Sequence, residues 1–332
     1  MNVLITGGTG FVGMNIAEKL LSEGHNVVLA ARHPLIKQME EALSRYPGKY
    51  DFANLDINNQ ERIGEILDSY SIDYVIHAAV ITPGPDRERQ QSDMVLKVNY
   101  MGTVALLEEL KKRKISKFIY LGSASVYGDA FYTNEYLYED ENKTYPRPNA
   151  LYGISKWAAE KTIVRYKQLF DINAVVARVG TVFGPWERYT GVRDTLSPPF
   201  AAIRLAVLGE NAILPREGFR DWVYSRDIAD ACFELLQKDC SYDIYNLSSG
   251  YVWPMADWCN KLKEYYPDFS FKIDSEDNSD NSIPLYVNPD RCPMSIERLI
   301  NDVGYTPKYD LEKSLADYIG WVKQTGDFWA YK

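Results

Sequence analysis

The chain reads as an α/β protein built on a doubly wound parallel sheet, with a smaller C-terminal lobe. Three observations predict this class: short apolar runs that return at intervals, longer segments of helical period between them, and a change of rhythm after about residue 180. Strands that alternate with helices are what a parallel sheet covered on both faces requires.

The runs at 3–5 (VLI), 27–30 (VVLA), 74–76 (YVI), 118–121 (FIYL) and 174–177 (AVVA) are nearly continuous in apolar residues, as strands buried on both faces are. A helix is expected over 11–23, where Val12, Ile16 and Leu20 form one stripe and Gly24 ends it. A second is expected over 95–114, where Val98, Leu106 and Leu110 precede a KKRK finish. Those cations complement the negative end of a helix dipole, so the run is a solvated cap and not a nucleic-acid patch. Beyond 180, prolines at 185, 198, 199, 215, 254, 267, 284, 289, 293 and 307 break the pattern, while helices remain expected over about 226–238 and 311–323. The oxygen-rich stretch 275–282 (SEDNSDNS) lacks the glycine and closing glutamate of a calcium loop and is expected to be a solvated loop.

Composition narrows the functions. Lys and Arg number 37 against 46 Asp and Glu, a net charge of -9, which argues against a general nucleic-acid binder. The apolar runs fall short of the roughly 18 residues a membrane span needs. The opening MNVLIT carries no positive n-region, so no secretory signal is expected. The four cysteines, Cys232, Cys240, Cys259 and Cys292, show no Cys-x-x-Cys spacing; reduced thiols, no metal site and a cytoplasmic protein are the expectation.

The glycine turn carries the first chemistry. The segment 6–13 (TGGTGFVG) follows a strand and opens a helix. Gly8, Gly10 and Gly13 fit G-x-G-x-x-G, and Gly7, Gly10 and Gly13 fit the Thr-Gly-x-x-Gly-x-x-Gly variant. A tight turn, an approach free of Cβ and a helix N-terminus together seat a pyrophosphate, so a dinucleotide-binding Rossmann unit is expected. It would comprise 1–180 plus about 220–248, and a substrate-binding lobe would comprise about 181–219 plus 249–332. At the end of the second strand, where NAD-preferring chains place a carboxylate, stand Ala31, Arg32, His33 and Pro34. Arg32 can bind a 2′-phosphate, so NADP is preferred over NAD, with Lys37 a weaker second cation. Asp56, at the end of the third strand, is placed to meet the adenine edge with Ile57 beside it.

The second chemistry is Tyr152 and Lys156, i and i+4 on one helical face, downstream of Ser123 at the end of the fifth strand. A nearby ammonium and an oxidised nicotinamide ring favour the phenolate and fit the tyrosine as an acid or base, while Ser123 can hydrogen-bond the same substrate oxygen. His77 is expected to be a packed strand residue. Trp186, Trp222 and Trp253 are candidates for a substrate wall, but an aromatic-rich lobe needs them for its core. In 184–199, Arg188 and Arg193 are candidates to clamp a carboxylate or phosphate; the alternative is exposed ion pairs with Glu187 and Asp194.

On TGGTGFVG at 6–13, Asp56 with Ile57, HAA at 77–79, Asn99 in VNYMGT, SASVYG at 123–128, Tyr152-x-x-x-Lys156, Arg178 through FGP at 183–185 and RDWVYSRD at 220–227, the chain resembles the extended short-chain dehydrogenases/reductases, in the NAD(P)-dependent sugar epimerase/dehydratase branch. The resemblance spans nearly the whole length. It implies Tyr152 as acid/base, Lys156 as its tuner and nicotinamide-ribose ligand, and Ser123 as substrate orienter. It also implies a cofactor site from Gly7, Gly10, Phe11, Val12, Gly13, Arg32, Asp56, Ile57, Ala78, Ala79, Asn99, Tyr152 and Lys156. Substrate contacts are expected from Thr82, Ser123, Ser125, Thr181, Arg188, Arg193 and Arg220. Family members often dimerise through the Asn99-type and Tyr152-type helices, so a homodimer is expected.

The departures bear on substrate. Sugar 4,6-dehydratases carry an acidic pair after the strand-five hydroxyl, where this chain has Ala124 and Ser125, so dehydration is disfavoured. UDP-hexose 4-epimerases usually have Asn at the position of Thr181 and Lys near Thr82. Arg220 matches the arginine that grips a nucleotide diphosphate, and the second such arginine falls at Asn301. The expected function is hydride transfer at a secondary alcohol/ketone carbon of a sugar or sugar acid. The alternatives are a nucleotide-sugar 4-epimerase with tightly bound NAD and a non-catalytic dinucleotide sensor or scaffold.

Overall fold

The computed structural model describes residues 1–130, 138–277, 279–286, 290–326 and 328–330, so Asn278 of the acidic loop lies outside the described residues. Six strands come from the first 180 residues: β1 (Asn2–Thr6), β2 (Asn26–Ala31), β3 (Tyr50–Asn54), β4 (Tyr74–His77), β5 (Lys117–Ser123) and β6 (Ala174–Val179). With a seventh at Ile244–Leu247 they form one sheet, ordered Ile244–Leu247, β6, β5, β4, β1, β2, β3, every pair parallel. All five apolar runs fall inside these strands. Burial explains the runs: every residue of β5 and β6 is buried, whereas the edge strand β3 alternates exposed and covered positions and so carries no run.

The first helix, α1 (Phe11–Ser22), buries Ile16 and Leu20 and stops before Gly24, whose φ of +76° only glycine adopts freely. The helix expected over 95–114 is not continuous. It runs as Ser92–Leu96, a π-helical turn Lys97–Met101 and Gly102–Leu110. The cause is Asn99, whose side-chain amide meets both backbone groups of Ile81: Nδ2 donates to the carbonyl at 2.9 Å and Oδ1 accepts from the N–H at 2.8 Å. A wide turn at that point lets one side chain close the loop after β4.

The helix Leu151–Phe170 lies along β5 and β6. It is held by Arg178 on β6, which donates to Glu160 through Nε at 2.8 Å and Nη2 at 2.7 Å, both side chains buried. That pair fixes the depth of Tyr152 and Lys156 relative to the ends of the strands.

The C-terminal portion is built from helices Pro198–Val207, Met255–Leu262 and Leu311–Thr325 and short two-stranded ribbons. Its tryptophans form the core. Trp222 packs on Trp253, Trp253 stacks on Trp258 at 5.4 Å, and Trp186 meets Trp321 edge-on at 5.5 Å. The three tryptophans considered for a substrate wall are therefore packing residues, each removing roughly 200 Å² of mostly apolar surface from water. Among the described residues no helix is long and apolar enough to cross a membrane.

Candidate active site

The order of the sheet reverses at β1, with β2 on one side and β4 on the other, and the crevice such a switch leaves lies beyond the carboxyl ends of the strands. Here it is a cleft of about 570 Å³. The residues expected at the site line it, except Gly8, Lys37, which pairs with Glu41, and Asn99, which the Ile81 backbone engages instead.

At one end the glycine turn makes a cradle. Gly7 has φ +69°, and a Cβ there would lie 2.7 Å from the Ala79 nitrogen; a Cβ on Gly13 would lie 2.4 Å from the Gly7 carbonyl oxygen. Gly10 caps α1 with no side chain, and the first turn holds no acidic residue. The N–H groups of Phe11, Val12 and Gly13 are thus left for an anion, and the helix dipole favours one. These residues fit a dinucleotide diphosphate. Beyond the cradle, Arg32 is exposed at the end of β2 with no carboxylate beside it in the chain. Asp56 lies past β3, where its Oδ1 accepts from the Asn58 N–H at 2.9 Å.

At the other end Ser123 closes β5, and its Oγ accepts from the Ser125 N–H at 3.1 Å and donates to Ser125 Oγ at 3.1 Å. Tyr152 enters from the first turn of its helix. Burial raises its phenol above the ordinary range, opposed by hydrogen bonding from Ser123, the charge of Arg193 and hydrogen bonding from Thr82. The Lys156 Nζ donates to the Leu121 carbonyl at 2.8 Å and lies 4.7 Å from the Tyr120 ring centroid but 6.0 Å from that of Tyr152. Burial brings the lysine itself down to about 7. Burial outweighs the hydrogen bonding and charge around the phenol, so it is protonated at neutral pH.

His77 is the packed residue anticipated. It bonds Thr6 Oγ1 at 2.6 Å and Thr103 Oγ1 at 3.0 Å, and burial, then the Lys156 charge, lowers it to about 3.

The two arginines of 184–199 separate. Arg193 pairs with the buried Glu187, Nε to Oε1 at 3.1 Å and Nη2 to Oε1 at 2.9 Å. Asp194 instead takes Arg87, through Nε at 2.6 Å and Nη2 at 2.9 Å. Arg188 has no carboxylate; its Nη1 is buried without a hydrogen-bond partner among the described residues. Arg220 donates to Thr181 Oγ1 at 3.1 Å, and burial, then the neighbouring Arg291, lowers it to about 10.

Arg291 was not anticipated. It lines the cleft, reaching the Ala124 carbonyl at 2.9 Å and Glu139 Oε2 at 2.7 Å through Nη2. It stands in an irregular segment with no periodicity or motif around it, so only the fold brings it to Arg220. Asn301, the position expected for a second arginine, lies outside this cleft. Asp56 is the only carboxylate among the described residues lining it.

A glycine cradle at a sheet's switch point, with Ser, Tyr and Lys at the strand-five end, defines a dinucleotide-dependent enzyme of the short-chain dehydrogenase/reductase type. Residues 3–248 match the NAD dependent epimerase/dehydratase family. The chain belongs to that family and is an extended short-chain dehydrogenase/reductase. It is 26% identical over 325 residues to a putative UDP-glucose 4-epimerase of Methanocaldococcus jannaschii, covering 97% of this chain and 98% of that one. Among solved structures it resembles the UDP-glucose 4-epimerase of Thermotoga maritima with UDP-glucose (TM-score 0.80, 23% identity, 98% and 99% of the chains). It also resembles the UDP-glucuronic acid 4-epimerase of Bacillus cereus with NAD (TM-score 0.76, 22% identity, 98% and 100%).

Proposed function

We propose that the protein catalyses hydride exchange at a secondary alcohol/ketone carbon of a sugar or sugar acid, with Tyr152 as acid/base, Ser123 as the orienter of the reacting oxygen, and Lys156 as nicotinamide-ribose ligand. The observation that carries this reading is that Thr82, Ser123, Tyr152 and Lys156 line the same cleft as the glycine cradle. The dinucleotide, when bound, accepts or donates the hydride. Tyr152, protonated at rest, gives its proton to a carbonyl oxygen as that carbon is reduced and takes one back as an alcohol is oxidised. Water elimination would need a carboxylic acid beside Ser123. Ala124 and Ser125 supply none, which supports redox or epimerisation over dehydration.

Arg32 favours NADP over NAD through its fit to a 2′-phosphate, with Asp56 and Ile57 along the adenine. Arg188 and Arg220, two buried guanidinium groups with no carboxylate bonded to either, fit an anionic substrate. Ser125 and Thr181 lie on the wall between. The second reading, a nucleotide-sugar 4-epimerase with tightly held NAD, is favoured by Arg220, which lies where a diphosphate would be gripped, and by relatives named for that activity.

A homodimer is part of the proposal. Met94, Leu96 and Met101 on 92–110 and Ile154 on Leu151–Phe170 are large apolar side chains left in water on neighbouring helices.

The test is Tyr152→Phe. Turnover should fall by roughly 10²–10⁴-fold, the range general acid–base catalysis contributes, while dinucleotide affinity stays within about twofold. Full activity in that variant would refute the assignment. In the wild type, stoichiometric change in reduced-cofactor absorbance marks a dehydrogenase, and isomerised product at constant absorbance marks an epimerase.

A further inference from the structure

We infer that Arg193 clasps the diphosphate of the bound dinucleotide from across the cleft, so that the segment 184–197 retains the cofactor through turnover; this rests on the dinucleotide reading of the cleft. Arg193 lies against the cradle, its guanidinium carbon 5.3 Å from the ring centroid of Phe11, the first residue of α1. Phe11 also carries one of the N–H groups left for the anion, so the cation and the helix N-terminus belong to the same part of the cleft.

The guanidinium is braced as such a contact requires. Glu187, fully buried, takes the Nε and Nη2 edge and also accepts from the Ser197 N–H at 2.8 Å and hydroxyl at 2.6 Å. Nη1 is left with no hydrogen-bond partner among the described residues. The backbone on either side of Arg193 is pinned to the loop after β4: the Thr82 N–H donates to the Val192 carbonyl at 2.8 Å, and the Asp194 N–H donates to the Thr82 carbonyl at 3.0 Å. Asp194 then anchors Arg87 and the Gly84 N–H. One arginine with an open Nη1, fixed from two sides beside the first residue of α1, suits a ligand that is held while something else exchanges.

The segment is also where the two redox outcomes diverge. An epimerase must keep its cofactor while a ketone turns over in the pocket, whereas a net dehydrogenase must let it go. A clasp on the diphosphate supports retention, and with it the epimerase reading.

The test is equilibrium binding of ADP-ribose and of NAD, by calorimetry, to the wild type and to Arg193→Met. ADP-ribose has the diphosphate but no nicotinamide, and neither ligand involves the sugar. The expected result is a loss of roughly ten- to a hundredfold for both ligands alike, since a charge-assisted contact is removed, with partial recovery in Arg193→Lys. Dinucleotide that co-elutes with the wild type in gel filtration should separate from Arg193→Met. Unchanged ADP-ribose affinity overturns the inference, and so does a loss confined to NAD, which would place Arg193 at the nicotinamide. A wild type that binds neither ligand would bring down the dinucleotide reading itself. Should Arg193→Met fail to fold by circular dichroism, Arg193→Gln against Arg193→Lys makes the same comparison.

Discussion

Lys156 offers a test of the buried pair that does not depend on knowing the substrate. In the protein without ligand its ammonium is buried and falls from 10.5 to about 7. A lysine depressed in the folded state binds its proton more tightly when unfolded, so between the two values folding releases a proton and stability rises with pH. Below about 7 the folded protein bears the full cost of a charged or discharged buried amine; approaching 10.5 that cost vanishes. With each pKa unit worth about 1.4 kcal/mol, the relief from pH 7 to pH 9.5 is about 3 kcal/mol. Lys156→Met keeps the stem length and removes the titration. Urea unfolding of the cofactor-stripped wild type and variant at both pH values isolates the effect, because His77, the group the Lys156 charge lowers, titrates below this pH range. The variant should be more stable at pH 7, and the gap should narrow by about 3 kcal/mol at pH 9.5. A gap independent of pH would mean that Lys156 stays ionised in the fold, held by the Leu121 carbonyl and the Tyr120 ring, and that desolvation was given too much weight.

Arg32→Ala should weaken NADP by about ten- to a hundredfold and leave NAD within about threefold in paired titrations; equal losses would show that Arg32 does not meet a 2′-phosphate. Glu160→Ala strands Arg178 in the core without its carboxylate and should cost about 3–5 kcal/mol by chemical unfolding, well beyond a surface change. Met101→Glu with Ile154→Glu should turn a dimer into a monomer in analytical ultracentrifugation; a wild type that sediments as a monomer would refute the proposed interface.

The sheet was legible because parallel strands buried on both faces have to be apolar throughout, and the glycine turn was legible because Gly7 and Gly13 sit where a Cβ would strike backbone. Tyr152, Lys156 and Ser123 were readable for a related reason: chemistry fixes their types and the helix fixes their spacing. What stayed hidden depended on partners far apart in the chain. The π turn at Asn99 answers the backbone of Ile81, 18 residues back. Asp194 was an alternative partner for its chain neighbours Arg188 and Arg193, yet it pairs with Arg87, 107 residues away. The hydrogen bond of Lys156 was hidden as well, because an i+4 spacing specifies a shared face and not which way a lysine bends. Lys156 turns to the end of β5, a choice set by the Leu121 carbonyl.

The charge of the cleft runs against that of the chain. A protein of net charge -9 lines this one cavity with Arg32, Arg188, Arg193, Arg220 and Arg291 and, among the described residues, a single carboxylate. Two of those cations are matched from behind, Arg193 by Glu187 and Arg291 by Glu139, and both acids lie outside the cavity wall. Arg188 and Arg220 have no such partner, and burial pushes both below the ordinary arginine range. Holding a guanidinium in the cleft without a carboxylate is unfavourable, so a ligand that carries negative charge gains affinity by pairing with them. A neutral ketone would leave both guanidinium groups unpaired, which supports the anionic substrate proposed above.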